Sequence, residues 1–368
     1  MDGARPEADT TSAAVRISFD RLAGFTAEVL CAAGLEPAGA ARSAELMATA
    51  DARGAQGHGV FRLRQYVRRI RAGGINPLPD IRLVADHPGT ALVDGDNGMG
   101  HLVMDRAAQI AIDKARQTGV GWVGVRQSNH AGPASLYAIM PVEHDMIGLY
   151  LAVGSANHMA PWGGRELLLS TNPIAIAVPA TDHPPVVLDI ATTVSSYGNV
   201  ERAVRHGERI PTGWMIDRDG HPLTEPSKVT EGSLLPIGGY KGYGLALLFG
   251  LLAGILNGAA FGRDVVDFNT DFSSVTNTGH SMLAIDIACF ADVAVFKRNV
   301  AEMCQLIHAS SPIAADAEVR VPGERSAAIF ADSMVNGIRI DRALCSDLSA
   351  LAAELGAPPL PTAPPSLP

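Results

Sequence analysis

The chain has 368 residues, 47% of them hydrophobic and 18% charged, with a formal net charge of −9. This length suits two domains or one large α/β unit with lobes, and the balance is that of an ordinary globular protein. The acidic charge, the 5% aromatic content and the lack of a basic block interleaved with aromatics exclude a nucleic-acid surface.

Residues 1–14 are acidic, small and polar, with no basic stretch leading into an apolar run, so they read as a disordered N-terminus and not a secretory signal. The four cysteines form no CxxC pair and no disulfide framework, which fits reduced thiols and a cytoplasmic location. Phe19, Leu22, Phe25, Val29 and Leu30 recur at helical spacing and Gly34 stops the run, predicting a helix over 18–34. Further helices are expected over 39–53 and 58–72, the last closed by Gly73-Gly74, so residues 15–80 form an N-terminal helical lobe. Within it, His58 and Arg62 stand four apart, which on a helix places them on one face. A histidine exchanges a proton near neutral pH, and an arginine grips a carboxylate through paired hydrogen bonds. The pair suits proton transfer beside the charged end of a small carboxylic acid. The alternative is a solvated face, since Arg64, Arg68, Arg69 and Arg71 follow.

Residues 81–238 read as α/β. Strands are expected over 81–84, 90–94, 121–126, 147–153, 174–178 and 186–189, with helices over 102–118 and 133–143. Gly119, Gly121 and Gly124 fit GxGxxG, but a helix precedes them and a strand follows. A dinucleotide loop needs the reverse order, so this is a helix-to-strand turn. His130 follows a strand, where ligands often bind, and is either a ligand contact or a satisfied loop histidine. Thr171 precedes a buried strand, in a segment that also reads as an Asn-Pro turn. Asp189 ends an apolar strand and is either a helix cap or a functional carboxylate.

Residues 239–355 read as a C-terminal α/β region. Residues 235–244 form a glycine-rich loop with Lys241 before a helix, which suits an anion, or else a tight turn with a solvated lysine. The apolar run from Gly244 is borderline in length for a membrane span and reads as a buried central helix. A strand over 282–287 and helices over 292–309 and 341–355 follow, and residues 356–368 form a proline-rich disordered tail. No HExxH, clustered Cys/His or GxSxG is present, so neither a metal site nor a serine hydrolase is expected.

The order of these motifs resembles the malate/L-lactate dehydrogenase-like oxidoreductase family, which includes sulfolactate and ureidoglycolate dehydrogenases, 2,3-diketogulonate reductase and cyclic imino-acid reductases. The matching stretches are 58–63, 71–77, 129–132, 160–164, 170–173, 188–192, 235–244, 277–280 and 322–324. The resemblance implies an α/β fold in which a non-Rossmann NAD(P)-binding sheet domain is inserted in a mainly helical lobe formed by N- and C-terminal segments. It implies NAD or NADP as cofactor, a small carboxylic acid as substrate, a homodimer and no membrane partner. By motif, His58 is the proton donor in a relay with Asp189, Arg62 binds the substrate carboxylate and Thr171 contacts the substrate. His130, Ala131, Gly132, Pro133 and Ala134, with Val187, Leu188 and Asp189, line the cofactor, as do Tyr240, Lys241, Gly323, Glu324 and Arg325. Two positions depart from the pattern. Gly57 stands where the family has a serine before the histidine, and Ser196 to Asn199 replace a more basic segment. The implied reaction is hydride exchange with a 2-oxo/2-hydroxy acid. Alternatives are imino-acid reduction and a ligand-binding member without turnover.

Overall fold

The computed structural model describes residues 14–361. They divide into two compact units, one built from the residues up to Val67 and those from Ser326 on, the other from Arg68–Arg325. Residues 68–80 and 239–325 thus fold with the α/β region.

In the first unit, β1 (Ala14–Ile17) pairs antiparallel with a strand from the far end of the chain. Ala14 is therefore ordered backbone; the rest of the expected N-terminal disorder lies outside the described residues. Helices α1 (Phe19–Ala33) and α2 (Pro37–Ala52) pack on each other, and Gly34 adopts the left-handed conformation that ends α1. The expected third helix does not begin at His58. Two short 3₁₀ turns, Gln56–His58 and Val60–Arg62, precede α3 (Leu63–Ala72), because Gly59 takes φ −91°, ψ −137° between them.

The second unit opens with β2 (Arg82–Asp86), β3 (Thr90–Asp94), α4 (Gly100–Thr118) and β4 (Val120–Ser128). The helix expected over 133–143 is only α5 (Ser135–Ala138) plus a 3₁₀ turn. Strands β5 (Met146–Ala152), β6 (Ile174–Val178) and β7 (Val186–Ile190) follow, then an excursion with α6 (Tyr197–His206), β8 (Met215–Ile216) and β9 (Ser233–Leu234). Helix α7 (Tyr240–Ala253), β10 (Thr278–Asp286) and α8 (Val293–His308) complete the unit. Helix α9 (Glu324–Asn336), β11 (Ile338–Asp341), which partners β1, and α10 (Arg342–Leu355) lead out of it. Beyond α10, Gly356 caps the helix and Leu360 is buried, so the expected tail disorder does not hold there; residues 362–368 lie outside the described set.

The central sheet is mixed, in the order β2-β3-β4-β10-β5-β6-β7, with only β3 and β4 parallel. Gly121 meets Ala111 of α4, whereas Gly124 meets Asn257 just beyond α7. Residues of opposite parity point to opposite faces, so helices cover both. The GxGxxG glycines are explained: Gly119 caps α4 in the left-handed region, and the other two leave no room for a Cβ.

Helix α7 is not the buried central helix expected. Its small residues Gly242, Ala246, Gly250 and Ala253 face inward, while Leu245, Leu248, Leu251 and Leu252 are exposed. The stretch Tyr240–Asn257 has a mean hydropathy of 1.2 and is 33% buried. Gly250 lies against the Phe261 ring and Ala246 O accepts from Asn172, so one helix face is fitted to the sheet unit.

Arg69 is fully buried and clamps the far loop of this unit. Its guanidinium donates to the carbonyls of Asp271, Gly74 and Ser274 and lies over the Phe268 ring. Removing it strands the buried Gly74 carbonyl and two part-buried carbonyls, together worth about 3 kcal/mol. Arg69→Ala should therefore lower unfolding stability by at least about 3 kcal/mol, read by urea denaturation. Arg69→Lys should fall between the two, because an ammonium cannot span the fork.

Candidate active site

The sheet brings one set of segments together. By register, β4, β5 and β7 end, and β6 and β10 begin, at the same edge. The segments around residues 129–135, 170–173, 191–193 and 276–277 therefore emerge side by side. This edge is locked from beneath. Buried His280 has Nδ1 2.7 Å from the Tyr150 hydroxyl and Nε2 3.2 Å from Ser128 Oγ. Burial pulls its pKa down to about 4. Thr276 donates to Ser128 O and Asn129 Oδ1, and the Asn129 amide donates to Gly98 O. These bonds hold the chain that carries His130.

His130 stacks on Phe268 at 5.3 Å between ring centres, and Gly132 has φ +79°. Ala131, Pro133 and Ala134 are buried. The Ser135 N–H donates to Asp189 Oδ2 at 2.9 Å, which ties the 130–134 loop to β7. The Asp189 carboxyl is accessible, yet desolvation raises its pKa against the bonds from Ser135. On the same strand, Val187 N–H donates to Pro322 O at 2.9 Å. Gly323, at φ +98°, could not carry a side chain, since a Cβ would lie 2.8 Å from Val187 N. Val187, Leu188, Asp189, Gly323 and residues 130–134 thus share one neighbourhood. Glu324 does not open into it as a bare carboxylate: its oxygens meet Val321 N–H and the imidazoles of His183 and His308. Arg325 is exposed.

Thr171 is joined to the same edge, because its carbonyl accepts both the N–H and the hydroxyl of Thr192. Thr192 O accepts Ile237 N–H, bringing in the glycine-rich loop. Gly238 and Gly239 have φ +58° and +67°, and the Trp162 ring packs over Gly239. Tyr240 and Lys241 are exposed at the start of α7, with Trp162 edge-on to Tyr240. Gly323 lets its turn lie directly against β7, and Lys241 adds a cation to a helix N-terminus. These are fitting donors for a dinucleotide with its phosphates.

His58 and Arg62 belong to the first unit. Gln56 donates to Arg339 O at 2.7 Å, and His58 N–H to Ala55 O, fixing the turn. Desolvation, with the Arg62 charge second, pulls the His58 pKa down to about 4. The Arg62 guanidinium donates Nε–H to Gly57 O at 3.1 Å and Nη1–H to Gln65 at 3.0 Å. So the two residues are neighbours across two successive 3₁₀ turns and not through one helix face. At Gly57 a Cβ would meet nothing within 4 Å, so the missing serine is not a steric necessity.

Sequence reasoning missed Asp51. It is 2% exposed and accepts Val60 N–H at 2.8 Å directly beneath this turn. Gly59 is required there, because a Cβ would collide with the Asp51 carboxylate. Burial raises the Asp51 pKa to about 8, against the bond from Val60. A carboxylate on the buried face of α2, eight residues ahead of a glycine, was the available signal.

A malate/L-lactate dehydrogenase family model matches residues 17–349. The chain is 38% identical over 350 residues to the malate dehydrogenase of Pyrococcus horikoshii, covering 93% of this chain and 96% of that one. The solved structure of that enzyme superposes with a TM-score of 0.86 at 35% identity, over 94% and 97% of the two chains. The chain is 33% identical over 326 residues to the ureidoglycolate dehydrogenase (NAD(+)) of Escherichia coli K12, covering 89% and 93%. The structure of Δ1-piperideine-2-carboxylate reductase from Pseudomonas syringae pvar. tomato matches with a TM-score of 0.82 at 30% identity, over 92% and 99%. An α/β fold with a mixed sheet and these likenesses define an oxidoreductase of the dehydrogenase class. The chain belongs to the malate/L-lactate dehydrogenase family.

Proposed function

We propose that the protein transfers a hydride between NAD or NADP and C2 of a small 2-oxo/2-hydroxy carboxylic acid. The observation that carries this reading is the desolvated His58 beside the Arg62 guanidinium on two successive short turns. When bound, the nicotinamide supplies or accepts the hydride. His58 moves the proton at the substrate oxygen. With a pKa near 4 it starts neutral at pH 7, ready to take the hydroxyl proton in the oxidative direction. Asp189 is the relay carboxylate that the family resemblance implies. Arg62 binds the carboxylate, and Thr171 contacts the substrate. Residues 130–134, 187–189, 240–241, Gly323 and Arg325 line the cofactor, on a sheet domain that is not Rossmann. The single parallel pair supports that last point, since the doubly wound fold is mostly parallel.

A second reading is reduction of a cyclic imino acid. It needs the same proton donor and the same carboxylate grip, and the likeness to the piperideine-2-carboxylate reductase supports it. We also infer a cytoplasmic homodimer without a membrane or nucleic-acid partner. The exposed leucines of α7 support a protein contact there.

Purified protein with NADH or NADPH should oxidise the cofactor, followed at its absorbance band, with one class among pyruvate, oxaloacetate, diketogulonate, sulfopyruvate and piperideine-2-carboxylate. Turnover with 2-oxo acids supports the first reading, and with the imine alone the second. Arg62→Ala should raise KM for the accepted acid by roughly 10–100-fold, the worth of a charged hydrogen-bonded contact. Cofactor binding with no turnover on any substrate defeats both readings.

A further inference from the structure

We propose that His183, His308 and Glu324 form a site for one divalent transition-metal ion of the zinc class. They come from three segments of the second unit: the loop between β6 and β7, the last turn of α8 and the first residue of α9. Their ligand atoms all lie within 4.8 Å of one another. His183 Nε2 is 2.9 Å from Glu324 Oε1, and His308 Nε2 is 2.6 Å from the same oxygen. The other carboxylate oxygen accepts Val321 N–H at 2.9 Å, which fixes the carboxylate.

His183 Nδ1 lies 2.6 Å from Pro184 O. A carbonyl only accepts, so Nδ1 carries a proton and Nε2 is the ring nitrogen turned toward Glu324. An Nδ1–H to carbonyl bond is also the partner that holds a ligating histidine in one tautomer. The side chains of His183 and Glu324 are 17% and 19% exposed and that of His308 is 39% exposed, so the cluster opens on one side. An open side leaves a fourth position for water.

Two imidazoles and a carboxylate suit zinc; magnesium and calcium prefer oxygen ligands. Tetrahedral bonds of about 2.0–2.1 Å place ligand atoms about 3.3 Å apart, so the two short contacts need only open by less than about 1 Å. The ion would join the strand β7 entry, α8 and the Gly323 turn. No sequence motif announced it, because the ligands are scattered along the chain.

The test uses full-length protein stripped with a chelator and dialysed. Zn²⁺ is titrated by calorimetry and Co²⁺ by visible absorption. The expected result is one ion per chain, with the intense bands of four-coordinate cobalt, and no heat with Mg²⁺. His183→Gln and His308→Gln leave an amide N–H within reach of Glu324, and circular dichroism checks that each variant is folded. Each should weaken zinc binding by at least the roughly 10–100-fold that even an outer partner of a metal ligand is worth. Absence of saturable zinc binding, or binding undiminished in both variants, overturns the proposal.

Discussion

Replacing His58 with glutamine lowers turnover roughly 10²–10⁴-fold, the worth of a positioned proton donor, and leaves dinucleotide affinity near wild type. The imidazole is the one group on its turn that can change charge in the accessible pH range, and its environment already perturbs it. Desolvation favours the neutral ring and the Arg62 charge adds to that, so the free enzyme holds His58 as a base at neutral pH. In the oxidative direction kcat/KM should fall as pH drops toward about 4 and the ring protonates. The glutamine variant should lose this acid limb along with the rate. Steady-state kinetics in both directions, paired with a fluorescence titration of NADH or NADPH, separates the two effects. Wild-type turnover in the variant would remove His58 from the chemistry. A matching loss of dinucleotide affinity would make its role one of binding.

Asp51→Asn changes the pH dependence of stability. The Asp51 pKa rises from 3.8 to about 8 in the folded chain. Such a group stabilises fully below its unfolded pKa, and that contribution is lost as pH rises through the folded value. Between about pH 4 and 8 the loss runs at about 1.4 kcal/mol per pH unit. Asparagine keeps the acceptor for Val60 N–H but cannot ionise. Its amide takes the place of Oδ1, which has no hydrogen-bond partner among the described residues, so the variant carries a constant cost of about 1–3 kcal/mol. Against wild type the variant should therefore gain stability from pH 5 to 8, read by urea unfolding at three pH values. Parallel stability curves would show that Asp51 is already ionised in the fold. Because Asp51 supports the His58 turn, the same experiment reports on the rigidity of the proposed base.

The sheet was legible in the sequence because alternation and β-branched runs are local signals. The bounds of β3 and β6 agree with the expectation. Helix α9 was missed, since Pro322-Gly323 reads as a loop and hides the helix starting at Glu324. Strands β1 and β11 pair across almost the whole chain, and no local pattern reveals that register. The α7 leucines show the limit of composition: apolar content marks a helix, but small residues chose its inner face. The His58–Arg62 pair was visible, yet Gly59 breaks the helix on which the spacing rested. Asp51 and the histidine pair around Glu324 depend on tertiary contacts that spacing cannot encode.

The most direct measurement uses NADH or NADPH with both hydrogens at nicotinamide C4 replaced by deuterium, with the 2-oxo acid that the enzyme accepts, and mass spectrometry of the product. Direct hydride transfer predicts one deuterium at C2 of the hydroxy acid and a slowed rate with the labelled cofactor. Cofactor oxidation that leaves the product unlabelled would contradict the assignment.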